Sequence, residues 1–206
     1  MSSDIHPRRR ATAAFAALLG SIALAAVACG PGPSPTSLYT AVPLQATPWS
    51  GGTTGQFGLH IDPSLLGRLP QTIDAYPLVE NAGSESQAMD NADLSRTFDG
   101  YAAAAIGVIG DDNWLNVVIG RFKPAMRDPD VAEAWVSQYA TGACSQADAV
   151  SSTRQETING WIVDVATCGT AGPVVYTLVL GDGVILSMYG YGPRDLGRKL
   201  IEAIYS

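Results

Sequence analysis

Histidine is scarce in this chain: among 206 residues only His6 and His60 are of that type. A Ser–His or Cys–His nucleophile system in the body of the protein would have to rely on His60 alone. The motifs of several enzyme classes are missing altogether. The sequence holds no Gly-x-Ser-x-Gly elbow, no His-Glu-x-x-His, no phosphate-cradling Gly-x-x-x-x-Gly-Lys and no dinucleotide glycine pattern. Cysteine is limited to Cys29, Cys144 and Cys168, with no Cys-x-x-Cys spacing and no neighbouring histidines, so neither a redox pair nor a zinc cluster is indicated. Basic residues are also few, 12 Lys and Arg against 19 Asp and Glu. That balance disfavours nucleic acid, whose binding depends on neutralising phosphates, and disfavours the body of the domain lying on anionic lipid.

What is present at the N-terminus is an address. Arg8, Arg9 and Arg10 precede an uncharged, largely apolar run from Ala11 to Ala28, which closes on Ala26-Val27-Ala28-Cys29-Gly30. A basic head, an apolar stretch and small residues before a cleavage point mark an export signal. With the cysteine directly after them, this segment resembles a bacterial lipoprotein precursor, with Ala26 where the lipoprotein box commonly carries leucine. The resemblance covers only the first thirty or so residues. It implies that Cys29 is lipidated, becomes the new N-terminus, and holds the protein to the outer face of a bacterial membrane. Two acyl chains hold a protein durably where one does so only marginally. The same run also admits an ordinary secretory signal cut near Ala28, or an uncleaved helix at the lower limit of spanning length.

Removing residues 1–28 takes three basic residues and one acidic residue, leaving nine Lys and Arg against eighteen Asp and Glu. Residues 29–56 then read as a tether rich in Pro, Gly, Ser and Thr, which cannot build a core. Residues 57–206 are of ordinary size for a single globular domain. In an exported chain the remaining pair, Cys144 and Cys168, reads as a disulfide, contributing roughly 3 kcal/mol in the chain-entropy picture.

Within that domain the local signals predict an α+β fold: two layers, with an antiparallel sheet of hairpins and about two main helices packed on one face. Asp62-Pro63-Ser64 predicts a short capped helix, Thr72 to Val79 a strand, and Ser84-Glu85-Ser86-Gln87 a capping box opening an irregular helix toward Phe98. Tyr101–Ile109 and Trp114–Phe122 form a predicted hairpin pairing Ala104, Ile106 and Val108 with Ile119, Val117 and Leu115. Asp128-Pro129-Asp130 opens a helix to about Gly142 with Val131, Trp135 and Tyr139 on one stripe. Asn159-Gly160 and Asp182-Gly183 are tight hairpin turns. Pro193 opens a last helix that turns Leu196, Leu200 and Ile204 inward.

Each chemical candidate has a plainer explanation beside it. His60 and Asp62 share a face on a strand, but Asp62 already has capping work. Asp111-Asp112-Asn113 and Asp128-Pro129-Asp130 offer oxygens to Ca²⁺ without the alternating spacing and closing glutamate of a dedicated loop, and turn and cap chemistry account for both. Tyr189-Gly190-Tyr191-Gly192, with Trp114 and Trp161 at strand starts, would stack on a sugar ring or pack as ordinary core. Asp164 is the carboxylate inside an apolar run, opposite Gln155 in the hairpin register, where a salt bridge or an exposed edge position explains it.

The sequence therefore predicts a non-enzymatic binding or interaction module at the outer membrane face, with no cofactor, no metal and no nucleic acid. Its partner would be a protein or a small ligand. The alternative is a cell-envelope hydrolase using paired carboxylates. A buried carboxylate pair in a cleft would favour hydrolysis, and an uncovered apolar sheet face rimmed with polar groups would favour binding.

Overall fold

The computed structural model of the chain describes residues 51–107, 112–147 and 149–204. The predicted leader, Cys29, the predicted tether up to residue 50, and Asp111 of the first acidic cluster lie outside the described residues.

Tight turns dictate the sheet. Asn159 and Gly160 both have positive φ (49° and 83°), as do Asp182 and Gly183 (55° and 71°), the backbone that a two-residue hairpin with native twist requires. They join β6 (Val150–Ile158) to β7 (Trp161–Cys168), and β8 (Val174–Gly181) to β9 (Val184–Tyr191). β4 (Phe98–Ile106) and β5 (Trp114–Phe122) form the other long hairpin, and the short β3 (Val79–Glu80) lies outside β4. The resulting seven-stranded sheet is antiparallel throughout, in the order β3-β4-β5-β9-β8-β7-β6. A separate ribbon pairs β1 (Thr72–Ile73) with β2 (Tyr76–Pro77).

The α+β class and the hairpin-built sheet agree with the sequence reading; the layering does not. The two main helices sit on opposite faces. α4 (Leu196–Ala203) buries Leu196, Leu200 and Ile201 against Leu115, Val117, Val163, Val165, Tyr176, Leu186 and Met188. α3 (Pro129–Ala143) lies on the other side, where Val131 and Trp135 join Phe98, Phe122 and Ile185. Further along that side Ala140 packs with Ala166 and Val175. The sheet is the middle of three layers because β8 and β9 are apolar on both faces, as strands covered on both sides must be.

Other departures are local. Ala102, Ala104 and Ile106 oppose Ile119, Val117 and Leu115, two residues out of the predicted register but on the same face, since a shift of two preserves the alternation. The strand predicted from Thr72 is folded back at Asp74 and Ala75, both at positive φ (49° and 67°). α1 (Ala82–Met89) is capped by the Asn81 side chain, which accepts from the Ser84 amide, and a second helix, α2 (Ala92–Thr97), starts afresh on Asn91. Pairing of the N-terminal chain begins ahead of Phe57: Thr54 bridges His60, and the Ile61 amide donates to the Thr53 carbonyl at 2.7 Å.

β4 is longer than β3, so most of its outer edge needs another cover. The Tyr101 amide donates to the His60 carbonyl and the Asp62 amide to the Tyr101 carbonyl. The Ala103 amide donates to the Glu85 carboxylate at 3.0 Å. An irregular segment and one buried side chain thus take the place of a strand.

Candidate functional site

The predicted chemical candidates are mostly structural. Asp62 caps the turn at Pro63–Arg68, accepting from the Ser64 amide, and pairs with Arg121 at 3.2 Å; Arg121 also holds Asp99 at 2.7 Å. Burial works against the Asp62 carboxylate, but Ser64 and Arg121 outweigh it and hold its pKa below the ordinary value. His60 turns its Nδ1 to the Thr54 hydroxyl at 3.4 Å. Asp128 accepts from the Asp130 amide as the α3 cap, and Asn113 accepts from the Arg194 amide. Among the described residues, no three His, Cys, Asp or Glu side chains gather as a metal site. Tyr189 meets Trp114 edge-on at 4.9 Å. Tyr191 is exposed on a depression of about 330 Å³, where Tyr176 donates to both Asp195 oxygens at 2.8 and 2.9 Å. Burial first, and the Asp195 carboxylate second, push the Tyr176 phenol pKa up.

Cys144 and Cys168 are bonded, with Cα atoms 5.1 Å apart, which fastens the C-terminal end of α3 to the end of β7. The helix passes over β8 and β9 and meets β7 at its C-terminal end, where Ala140 packs on Ala166, while β6 and the start of β7 lie beyond its flank. Between α3 and these strands runs a groove, formed by contiguous depressions of about 620, 420 and 340 Å³ that meet at Val136 and Asp164. Its floor carries two large apolar side chains open to solvent, Ile162 at 64% and Val179 at 47% exposure. Gln155, Glu133 and Asp182 rim it.

A polar row crosses this floor. Gln155, Asp164, Thr177 and Ser187 face one another on four successive strands, in register. Gln155 donates its amide to Asp164 at 3.2 Å, and Trp135 of α3 donates its indole N–H to the Ser187 hydroxyl at 2.9 Å. Thr177, between them, is 1% exposed, and its hydroxyl has no hydrogen-bond partner among the described residues. A buried hydroxyl left so costs about 1–3 kcal/mol, and it borders the groove. The sequence located Asp164 opposite Gln155. Thr177 and Ser187 were missed, since single polar residues inside apolar strands carry no signal until the register is known.

One carboxyl pair was also missed. Glu85, 5% exposed, neighbours Glu80, and burial chiefly, with the Glu80 carboxyl adding, raises its pKa to about 7. One of its oxygens is engaged by the Ala103 amide, so its work is to seal the β4 edge.

No family model, no curated protein and no solved structure matches the chain.

Proposed function

We propose that this protein is a membrane-anchored extracytoplasmic lipoprotein. It is held by lipid on Cys29, carried on a Pro/Gly-rich tether, and binds a ligand without catalysis in the groove beside α3. The observation that carries the binding reading is the uncovered stretch of sheet, with Ile162 and Val179 exposed around the buried, unpartnered hydroxyl of Thr177. Exposed apolar patches rimmed by polar groups mark interaction sites, and convergent polar atoms on an apolar floor fix a ligand's orientation. Hydrolysis is the weaker reading, because the carboxyl pair Glu80–Glu85 is committed to a strand edge and Glu85 is nearly inaccessible.

Intact-mass measurement on the full chain, purified gently from a bacterial membrane, tests both halves. The anchor requires a mature N-terminus at Cys29 bearing acyl mass; an unprocessed or unacylated product would refute it. The groove requires a co-purifying small molecule, or a ligand from an envelope extract, that wild type retains and Val136→Trp, which fills the groove, does not. Equal retention by the variant would place binding elsewhere.

A further inference from the structure

We infer that the groove beside α3 accepts a small apolar molecule bearing one positively charged nitrogen. Its hydrocarbon part covers Ile162 and Val179, and its nitrogen is held by Asp164, Glu133 and the Thr177 hydroxyl. The inference rests on the groove being a binding site and adds the ligand's charge.

The charge lining the groove is mainly negative. Asp128, Glu133, Asp164 and Asp182 border the largest depression, and Arg127 is the cation beside them, its Nε turned to the Phe122 carbonyl. Asp128 is used as a helix cap and Asp182 lies 3.7 Å from Arg68. Arg154, which borders the neighbouring depression, is paired with Glu156, which Arg198 also holds. Glu133 and Asp164 remain without a cationic partner among the described residues, although both border the same two depressions. Carboxylates beside apolar surface attract a cation more strongly than they would in open solvent, because the local dielectric is lower.

Thr177 supplies an independent pointer. Its hydroxyl lies in the same row as Asp164, is buried, and is unsatisfied. A hydroxyl oxygen accepts from an ammonium N–H, so a nitrogen beside Asp164 satisfies both groups at once. The apolar floor requires the remainder of the ligand to be hydrocarbon. An anion would face two carboxylates that have no cationic partner among the described residues, and a neutral alcohol would leave their charge uncompensated.

Three probes of equal chain length separate these cases: octylammonium, octanol and octanoate, titrated at neutral pH into the full chain. Occupancy is followed through the methyl resonances of Ile162, Val179 and Val136. Octylammonium is expected to move all three and to bind roughly tenfold tighter than octanol, as a charged hydrogen bond allows. Octanoate is expected to bind weakest. In the double variant Glu133→Gln, Asp164→Asn, octylammonium should fall to the level of octanol. Both positions are partly or fully exposed, so the fold is retained, and the wild-type comparison stands without the variant. If octanol or octanoate moves the same methyls as tightly as octylammonium, the positive charge is wrong while the groove remains a ligand site. If no probe moves them, both the charge and the site are refuted.

Discussion

The Glu85 carboxylate and the Ala103 backbone amide, 3.0 Å apart, close an edge that the two-residue β3 is too short to cover. The arrangement places a carboxyl in a site where burial and Glu80 raise its pKa from 4.5 to about 7. A raised carboxyl pKa means the folded state binds the proton more tightly than the unfolded chain does. Stability from this group is therefore greatest below the unfolded pKa, declines as pH rises between the two values, and stays lower above the folded one. Glu85→Gln, which keeps the acceptor oxygen without charge, should melt several degrees above wild type at pH 8 and close to it at pH 4.5. Paired thermal melts across that range check this; a gap that is constant with pH would contradict it.

Trp135 and Ser187 make the hydrogen bond that anchors α3 over the polar row. Trp135→Phe should destabilise by about 2–3 kcal/mol, from lost packing on Phe98 and from the orphaned Ser187 hydroxyl. Adding Ser187→Ala to that variant should recover about 1 kcal/mol, since the hydroxyl orphaned by the loss of the indole is then removed. Chemical denaturation of the two single variants and the double variant measures the coupling.

A methyl group at Gly197 would stand 2.7 Å from Cδ2 and 2.9 Å from Cε2 of Tyr176, on the face that α4 covers. Gly197→Ala is expected to cost roughly 1–3 kcal/mol by over-packing, despite the better helix propensity of alanine. Gly142, on α3, has open space in the same direction, so Gly142→Ala should be neutral or stabilising. A melting comparison that ranks the two variants the other way would overturn this account.

Loss of the Cys144–Cys168 bond, by reduction or by the double serine variant, should lower stability by about 3 kcal/mol. Because the bond fastens one end of α3 to β7, the loss of amide protection should be largest at Ala140–Cys144. Hydrogen exchange on oxidised and reduced protein makes that comparison, with α4 as the internal control.

The sequence made some of this legible, for identifiable reasons. Asn159-Gly160 and Asp182-Gly183 adopt the positive φ values their composition favours, and Asp128-Pro129 starts α3 where cap chemistry places it. The facing of Gln155 and Asp164 follows from the first of those turns, because a two-residue hairpin fixes its own register. The opposite placement of α3 and α4 was not legible, since neither helix carries a mark of the face it will cover. Asp74-Ala75 is not a usual turn pair, which concealed the small ribbon. Thr177 and Glu85 acquire their meaning from residues distant in the chain, Asp164 and Ser187 for one and Ala103 for the other.

The middle of the sheet joins β5 to β9, strands separated in the chain by α3 and all of the β6–β8 meander. During synthesis the first long hairpin therefore waits, with a bare inner rim, until Val184–Tyr191 has emerged. A chain stopped before Val184 would hold β3-β4-β5 and β6-β7-β8 as two half-sheets with no strand between them to pair with both.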